Sequence, residues 1–258
     1  MRTLLIDADV VAYEAAAAKE VAIDWGDGHW TWHVNPDEVK AAIKDKIDQI
    51  MSKLDGDEFK LCLTDSAGNF RKTILPTYKG NRVSTKKPLV LMHVKDWMIE
   101  ELGAYLRPGL EGDDCMGILA TMKSPGEKII VSIDKDIKTI PGLFCRNTDN
   151  WDIVEVTEDE ANFWHMFQTL TGDTTDGYSG CPGIGPKKAE VILNTAVAEM
   201  GIHGGNHLAK LWDSVVKTFE KAGLGQDEAL VQAHVARILR ATDYDFKKKE
   251  PILWRPPV

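Results

Sequence analysis

Leu4-Leu5-Ile6-Asp7 is a short apolar run that ends in an acid, and the chain carries two further runs of the same kind. These are Leu61-Cys62-Leu63-Thr64-Asp65 and Ile130-Val131-Ser132-Ile133-Asp134. Such runs indicate strands that are buried on both faces of a sheet. Between them the sequence has helical patterns, at about residues 36–52, 89–102 and 113–123. The alternation predicts an α/β fold with a mainly parallel central sheet flanked by helices.

Each predicted strand ends in an aspartate, and ligands of open parallel sheets bind beyond the carboxyl ends of the strands. One aspartate after a strand often only begins a turn. Turns alone are a poor explanation for three such residues at one edge of a sheet. Asp7, Asp65 and Asp134 are therefore candidates for a shared site.

The tetrapeptide Glu111-Gly112-Asp113-Asp114 places three carboxylates in four residues, with no Lys or Arg between Arg107 and Lys123. The apolar run that follows, residues 115–120, predicts a buried helix that starts at these acids. Acids at a helix start complement its dipole, each by roughly 0.3 to 1 kcal/mol. Capping by one acid needs no cation, whereas three acids before an apolar helix suggest one. The tetrapeptide alone leaves helix capping and metal binding both open.

Further acids occur in two pairs, and the complete set of candidate metal ligands has nine members. Their donors are all oxygens, with no His or Cys at metal-binding spacing, which favours Mg²⁺ or Mn²⁺ over Zn²⁺. Two such ions roughly 3.5 to 4 Å apart would activate a water and stabilise the leaving oxygen of a phosphoryl displacement. The set is Asp7, Asp65, Glu111, Asp113, Asp114, Asp134, Asp136, Asp173 and Asp176.

Residues 71–87 hold six cations and no acid, although the chain as a whole is acidic. Such a run is usually a solvated face. Within it, Pro76-Thr77-Tyr78-Lys79-Gly80-Asn81-Arg82 combines an aromatic ring, a glycine and two cations, as a segment that grips phosphate near a metal centre would. The six cations are Arg71, Lys72, Lys79, Arg82, Lys86 and Lys87.

A second candidate for phosphate binding is Pro182-Gly183-Ile184-Gly185-Pro186-Lys187-Lys188-Ala189. The helix before it is predicted from the capping box at Thr157-Glu158-Asp159-Glu160 to about Leu170, with Gly172 as its stop. Gly183 and Gly185 permit a tight hairpin, and a helix from Pro186 to about Met200 would direct free amides at an anion. This is the pattern of a helix-hairpin-helix, to which Lys187 and Lys188 add positive charge.

Outside these motifs, residues 22–34 predict a β-hairpin around Gly26-Asp27-Gly28. We expect its tryptophans to pack against the protein and assign them no chemistry. Residues 207–222 and 226–241 predict amphipathic helices, followed by an extended tail. The three tryptophans of the hairpin are Trp25, Trp30 and Trp32.

Composition sets the broad class of the protein. The chain has 258 residues with a net charge of −9, and 43% of them are hydrophobic. This predicts one large domain, or a core with a small appended module.

The four cysteines lie far apart and predict neither disulfides nor a zinc site. Acids interrupt the apolar N-terminus, and no run approaches the roughly 20 apolar residues of a membrane span. We expect a protein of the reducing cytoplasm without a membrane partner.

Seven motifs occur in a defined order that covers almost the whole chain: Leu63-Thr64-Asp65-Ser66, Tyr78-Lys79-Gly80-Asn81-Arg82, Leu110-Glu111-Gly112-Asp113-Asp114, Asp134-Lys135-Asp136, Gly172-Asp173-Thr174-Thr175-Asp176-Gly177-Tyr178-Ser179-Gly180, Ala236-Arg237-Ile238-Leu239-Arg240 and Leu253-Trp254-Arg255-Pro256. In this order they resemble the 5′-nucleases of the flap endonuclease superfamily. The resemblance is greatest to the 5′→3′ exonucleases of short-tailed lytic phages.

The resemblance implies a PIN-like 5′-nuclease core in residues 1–156, with a helical arch at about 78–100 that admits single-stranded 5′ ends. It also implies a helix-hairpin-helix module in residues 157–200 that holds duplex DNA, with K⁺ bound at the hairpin. Residues 201–258 would form helices that pack back on the core. The arch segment is short and carries Pro88, which departs from an arch of two full helices.

The resemblance also assigns roles to residues. Asp7, Asp65, Glu111, Asp113 and Asp114 would serve one Mg²⁺ or Mn²⁺ ion, and Asp134, Asp136, Asp173 and Asp176 the second. Tyr78, Lys79 and Arg82 would be catalytic, with Lys79 and Arg82 on the scissile phosphate. Asp9 would support the site from outside the ligand shell at most. The DNA contacts would be Arg71, Lys72, Lys86, Lys87, Gly183, Gly185, Lys187 and Lys188.

The implied activity is metal-dependent 5′→3′ degradation of duplex DNA, with flap cleavage and removal of RNA from RNA–DNA hybrids as related activities. It would serve phage DNA replication, recombination or host DNA breakdown, by a monomer in the host cytoplasm.

A different enzyme class fits part of the sequence. Residues 4–11 match the hydrophobic-Asp-x-Asp start of haloacid-dehalogenase-type phosphatases, with Asp7 as nucleophile and Asp9 as general acid. Residues 172–176 resemble the late acidic motif of that class, which requires a strand just before Asp173. The helix predicted for residues 164–170 argues against this alternative. A non-enzymatic DNA-binding protein would leave the nine acids unexplained.

Overall fold

A computed structural model of the protein describes residues 1–81, 86–146, 150–203 and 206–257, with the side chains of 200–203 left out. Arg82, with its predicted phosphate contact, lies outside the described residues. The strands are β1 (Arg2–Asp7), β2 (Val21–Asp24), β3 (Trp30–His33), β4 (Glu58–Cys62), β5 (Glu127–Val131), β6 (Gly142–Cys145), β7 (Ile153–Val156), β8 (Tyr244–Asp245) and β9 (Glu250–Pro251). The helices are α1 (Ala8–Lys19), α2 (Pro36–Lys53), α3 (Arg71–Ile74), α4 (Leu91–Leu102), α5 (Gly112–Thr121), α6 (Glu158–Thr171), α7 (Pro186–His203), α8 (His207–Lys221) and α9 (Gln226–Ala236).

The central sheet has the strand order β4-β1-β5-β6-β7. All its pairs are parallel except the last, β6 with β7. Side chains alternate across β1: Leu4 and Ile6 pack with α1, α2 and α4 on one face, and Leu5 packs with α5 on the other. The predicted α/β fold, with a mainly parallel sheet flanked by helices, is confirmed.

The C-terminal half builds a separate layer of helices. Apolar residues of α6, α7, α8 and α9 form one cluster, into which Trp254 also packs. The predicted return of residues 201–258 to the core therefore needs a correction, because α8 joins the helical layer. The contact with the sheet core is made by the segment after α9, through Ile238, Leu239 and Tyr244.

The predicted arch at about residues 78–100 also needs a correction in its second half. Leu91, Val94 and Met98 of α4 are at most 9% exposed and pack with α1 and α2 in the core beside the sheet. A helix anchored in this way cannot stand clear of the protein.

The predicted hairpin at residues 22–34 is confirmed as the antiparallel pair of β2 and β3. The expectation that its tryptophans pack is wrong. Trp25, Trp30 and Trp32 are 66%, 58% and 47% exposed. Among the described helices, none combines the length and apolar character needed to cross a membrane.

A buried histidine in the helical layer predicts a pH dependence of stability. His165 is fully buried, and its Nε2 lies 2.8 Å from the carbonyl oxygen of Ala233. Burial and the charges of Arg237 and Arg240 hold its pKa well below the ordinary value. As pH falls below about 6.5, His165 takes up a proton in the unfolded chain but stays neutral in the folded one, so the folded state loses stability.

Because of this difference in proton uptake, we expect the free energy of unfolding to fall by about 1.4 kcal/mol when the pH is lowered from 7.5 to 5.5. Urea unfolding of wild type and His165→Phe at both pH values measures it, because the groups common to both proteins cancel in the difference. An equal loss of stability in the two proteins would contradict the assignment.

Candidate active site

A cleft of about 580 Å³ lies beyond the carboxyl ends of β1 and β5. Seven of the nine predicted metal ligands line it, and they come from four separate parts of the chain: Asp7, Glu111, Asp113, Asp134, Asp136, Asp173 and Asp176. The other two, Asp65 and Asp114, do not line the cleft.

One group of acids forms where β1 and α5 meet. Asp7 ends β1 and is 7% exposed, and its carboxylate accepts hydrogen bonds from the backbone N–H of Val10 (3.2 Å) and from Ser132 Oγ (2.8 Å). Burial raises the pKa of Asp7 to about 6 in spite of the Ser132 bond, and the charges of neighbouring aspartates add to the rise. Burial also raises the pKa of Asp113, with further increases from Asp7 and Asp134.

A second group lies on two loops. Asp134 Oδ1 accepts the backbone N–H of Asp136 (2.8 Å), and Asp173 Oδ1 accepts that of Asp176 (3.3 Å). Burial raises the pKa of Asp136 to about 6, and the charges of Asp134, Asp173 and Asp176 raise it further. Asp134 thus interacts electrostatically with both groups.

The donor set fits hard divalent cations. Carboxylate oxygens are the donors that Mg²⁺ and Mn²⁺ prefer. Burial and, to a lesser extent, repulsion between carboxylates raise the pKa of Asp7, Asp113 and Asp136, and a bound cation would favour the ionised form of each. As they stand, no three Asp, Glu, His or Cys side chains of the described ranges converge closely enough to hold an ion. Binding would therefore draw these side chains together.

Lys79 and Tyr78 contact acids on both sides of the cleft. Lys79 Nζ forms an ion pair with Glu111 Oε1 and lies 3.6 Å from Asp176 Oδ2. The Tyr78 hydroxyl lies 3.0 Å from Glu111 Oε2 and 3.1 Å from Asp176 Oδ2. Burial raises the pKa of Tyr78, so the hydroxyl stays a donor. Burial alone would raise the pKa of Glu111, but Arg71 and Lys79 outweigh it and lower that pKa.

The backbone of residues 77–81 is held against the loop that carries Asp173 and Asp176. Lys79 has a positive φ of 53°, and its N–H donates to the carbonyl of Asp176 (2.7 Å). Asn81 Nδ2 donates to the carbonyl of Thr174 (2.8 Å). The predicted phosphate-gripping segment is thus fixed beside the second group of acids.

Residues 2–162 match the family described as 5′-3′ exonuclease, N-terminal resolvase-like domain. The chain belongs to this family. An exonuclease of Escherichia phage T7 is 35% identical, over 98% of this chain and 93% of the phage protein. An exodeoxyribonuclease of Enterobacteria phage T3 is 36% identical, over 98% and 92%. The predicted resemblance to phage 5′→3′ exonucleases is confirmed.

A solved structure agrees with this 5′-3′ exonuclease assignment at the level of the fold. It is a pseudo-enzyme–product complex of the bacteriophage T5 flap endonuclease with DNA and metal ions. The TM-score is 0.56 at 14% identity, and the match covers 92% of this chain and 93% of that one.

The phosphatase alternative is not supported for this member of the exonuclease family. The strand that it requires before Asp173 is absent, because residues 158–171 form α6. Asp9, its general acid, is paired with Lys95 Nζ at 2.7 Å. Two of the matched relatives are an exonuclease and an exodeoxyribonuclease.

Two predicted roles, those of Asp114 and Arg71, need a correction. Asp114 is fully buried and Arg71 is 2% exposed, and their side chains form a bidentate ion pair with two contacts of 2.7 Å. Arg71 also donates to the carbonyls of Val235 (2.9 Å) and Arg237 (2.7 Å). Asp114 is therefore a partner of Arg71 rather than a metal ligand, and Arg71 has no surface to offer to DNA.

Asp65 is the second acid that lies away from the cleft. Its carboxylate accepts the backbone N–H of Ala67 (2.9 Å) and that of Gly109 (2.7 Å). These bonds tie the loop after β4 to the segment before α5. The neighbouring Thr64 lines the cleft instead. Asp65 thus holds a loop in this structure, and its role as a metal ligand stays a prediction.

Sequence reasoning missed or undervalued one residue that lines the cleft, Asp9, and two that support it from outside the lining, Gly112 and Ser132. Asp9 lines the cleft, and its carboxylate accepts the N–H of Thr64 (2.8 Å) as well as the Lys95 ion pair. Gly112 permits this arrangement, since a Cβ there would lie 3.0 Å from Asp9 Oδ2. Ser132 holds Asp7. The spacing of Asp9, two residues after Asp7 at a helix start, was the available signal.

The remaining predicted DNA contacts lie at the surface. Lys72, Lys86 and Lys87 are exposed, and Lys87 also lines the cleft. At the helix-hairpin-helix, the N–H of Ile184 donates to the carbonyl of Cys181 (3.1 Å) and Gly183 has a φ of 73°. The carbonyl of Gly185 accepts the N–H groups of residues 188 and 189, so α7 starts there. Lys187 and Lys188 are exposed at this start.

Proposed function

We propose that this chain is a divalent-metal-dependent 5′→3′ exonuclease that hydrolyses duplex DNA from 5′ ends. Seven carboxylates in one cleft, three of them with pKa values raised by burial and mutual repulsion, carry the proposal. Asp7, Glu111 and Asp113 would hold one Mg²⁺ or Mn²⁺ ion, and Asp136, Asp173 and Asp176 the other, with Asp134 beside both. Bound ions would supply an activated water and neutralise charge on the phosphate.

The residues around the acids have separate tasks in this proposal. Lys79 would turn its ammonium from Glu111 and Asp176 to the scissile phosphate, where it would stabilise developing negative charge. The Tyr78 hydroxyl would orient Glu111 by donating a hydrogen bond to its carboxylate. Lys95 would hold Asp9 and with it the loop after β4. Arg82 stays a predicted phosphate contact.

The duplex would be held by the hairpin between α6 and α7, where backbone amides and the exposed Lys187 and Lys188 face outward. We retain K⁺ at this hairpin as part of the proposal. The carbonyl of Gly183 already accepts the ammonium of Lys188 at 2.9 Å, which supports a cation-binding orientation. Flap cleavage, action on RNA–DNA hybrids, a monomeric state and a place in the host cytoplasm belong to the same proposal.

The direct test uses duplex and flap DNA labelled at the 5′ or the 3′ end, incubated with Mg²⁺, with Mn²⁺ or with EDTA. We expect short products from the 5′ end with either metal and none in EDTA. Degradation from 3′ ends, or intact DNA with rapid hydrolysis of p-nitrophenyl phosphate, would contradict the proposal.

Variants at two lysines separate chemistry from binding. Lys79→Ala is expected to lower the cleavage rate at saturating DNA by about 10²-fold, with a much smaller change in DNA affinity. Lys187→Ala is expected to weaken binding more than it slows cleavage, and to reduce the slope of log Kd against log salt by about one. Single-turnover rates and a salt series of Kd values measure both.

Lys53→Ala removes an exposed charge from α2, outside the cleft lining, and serves as the matched control. If the Lys79 and Lys187 variants lose rate and affinity in the same proportion, the division of roles is wrong.

A further inference from the structure

The β2–β3 hairpin carries two exposed aromatic rings on one face. Residues directly opposite each other in an antiparallel pair share a face, and Trp30 pairs with Asp24 while Trp32 pairs with Ala22. Trp30 and Trp32 are two residues apart on one strand, about 7 Å along it. This is about twice the 3.4 Å rise of stacked bases, so the gap matches the thickness of one inserted base.

A cation is already placed on this face. Lys86 Nζ lies 3.1 Å from the centroid of the Trp32 ring and forms an ion pair with Glu20. Glu20 also accepts the backbone N–H of Leu89 at 2.8 Å. These contacts join the hairpin to the segment before α4. Asp24, the acid on the same face, directs its carboxylate to the N–H of Gly26 (2.9 Å).

The aromatic face is linked to the candidate active site through the residue that follows Lys86. Lys87, the residue after Lys86, lines the cleft, as does Tyr13 on α1. Asp9 and Glu20 lie near opposite ends of α1, about 16 Å apart at 1.5 Å per residue. That distance corresponds to roughly five stacked nucleotides.

We propose that Trp30, Trp32 and Lys86 form a stacking platform for unpaired nucleotides at the 5′ end of the substrate strand. The inference rests on the proposed nuclease function and adds a second contact region to it. Aromatic rings interleaved with cations bind single strands without base preference, and each stacked base contributes about 1 to 3 kcal/mol. The platform would hold an unpaired 5′ extension while the junction with the duplex lies in the cleft.

A protein partner fits this face less well. Two tryptophans bury at most about 500 Å², below the roughly 800 Å² per partner of a standard stable interface. Trp30 and Trp32 are 58% and 47% exposed, so water reaches both rings. Lys86 on the Trp32 ring and Lys87 in the cleft lining favour nucleic acid over a protein as the ligand of this face.

The test measures Kd in EDTA for duplexes with a 5′ extension of none to about ten nucleotides. Wild type is expected to bind more tightly as the extension grows, up to about five nucleotides. Trp30→Ala with Trp32→Ala is expected to reduce this gain at least tenfold, whereas Trp32→Phe keeps most of it. Binding of the extension is also expected to quench tryptophan fluorescence in wild type more than in the double variant.

Trp25→Ala is the matched control, because Trp25 is exposed on the other face, where its Nε1 donates to Thr31 Oγ1 (2.7 Å). In this variant, Kd should change with the length of the 5′ extension as it does in wild type. If Kd changes with extension length equally in wild type and in the double variant, the proposed stacking platform is wrong. A change of sedimentation in the double variant that leaves DNA binding unaltered would also overturn it, and would assign the face to self-association. If wild type with Mg²⁺ degrades no duplex from 5′ ends, the proposed function fails, which is a separate outcome.

Discussion

Asp113→Asn is expected to lower metal-dependent cleavage by at least about 10²-fold and, at the same time, to raise the stability of the metal-free protein. Burial together with the charges of Asp7, Asp134 and Glu111 raises the pKa of Asp113, so its ionised form is unfavourable without a cation. A neutral amide of the same shape removes that repulsion. It also removes a negatively charged ligand from the proposed metal site.

Cleavage assays and thermal unfolding in EDTA and in Mg²⁺ measure these opposite effects. Mg²⁺ should raise the Tm of wild type, since a ligand that binds only the folded state stabilises it. The variant should have a higher Tm than wild type in EDTA and a smaller increase with Mg²⁺. Cleavage within a few-fold of wild type, or a lower Tm in EDTA, would show that Asp113 is not a metal ligand.

The same substitution one residue later should have the opposite effect on stability. Asp114→Asn is expected to lower the free energy of unfolding by about 3 to 5 kcal/mol, because it leaves the buried guanidinium of Arg71 without its partner. The amide oxygen can still accept the backbone N–H of Leu239, which Asp114 Oδ1 accepts at 3.0 Å. The loss therefore combines the unpaired charge with the N–H of Glu111, which Asp114 Oδ2 accepts at 3.1 Å and an amide NH2 cannot accept.

Denaturant unfolding of the two adjacent Asp→Asn variants under identical conditions gives this comparison. Adding Arg71→Met to Asp114→Asn should recover part of the lost stability, since the unpaired buried charge is removed. Suppose instead that Asp114→Asn leaves stability unchanged and abolishes the Mg²⁺-induced rise in Tm. Asp114 would then be a metal ligand and the correction made above would be wrong.

The two variants also clarify what local sequence can predict about the site. Asp7 and Asp134 follow strands and Glu111 and Asp113 lie at a helix start, and these positions depend on apolar runs and caps within a few residues. Asp7 and Asp134 are examples of strand-following acids that line the cleft. The capping box of Thr157 and Glu160 likewise predicted the start of α6, which is at Glu158.

Three strands of the parallel sheet, the β2–β3 hairpin, the sheet edge at which acids gather and the family all followed from local sequence. The helix α1 and the strands β6 and β7 were not predicted. Only the tertiary structure separated Asp113 from Asp114. Neighbours on a helix point about 100° apart, so the first faces the cleft and the second faces Arg71, which is 43 residues away in the chain.

Partners distant in sequence also explain the other differences between the predicted and the observed structure. The helix predicted to residue 241 ends at Ala236, and the carbonyl of Arg237 and the N–H of Leu239 bond Arg71 and Asp114 instead. Arg71 is the first cation of a run expected at the surface, yet it lies in the interior. No local pattern reveals such a change, because a buried charge depends on a partner that only the folded chain brings within 3 Å.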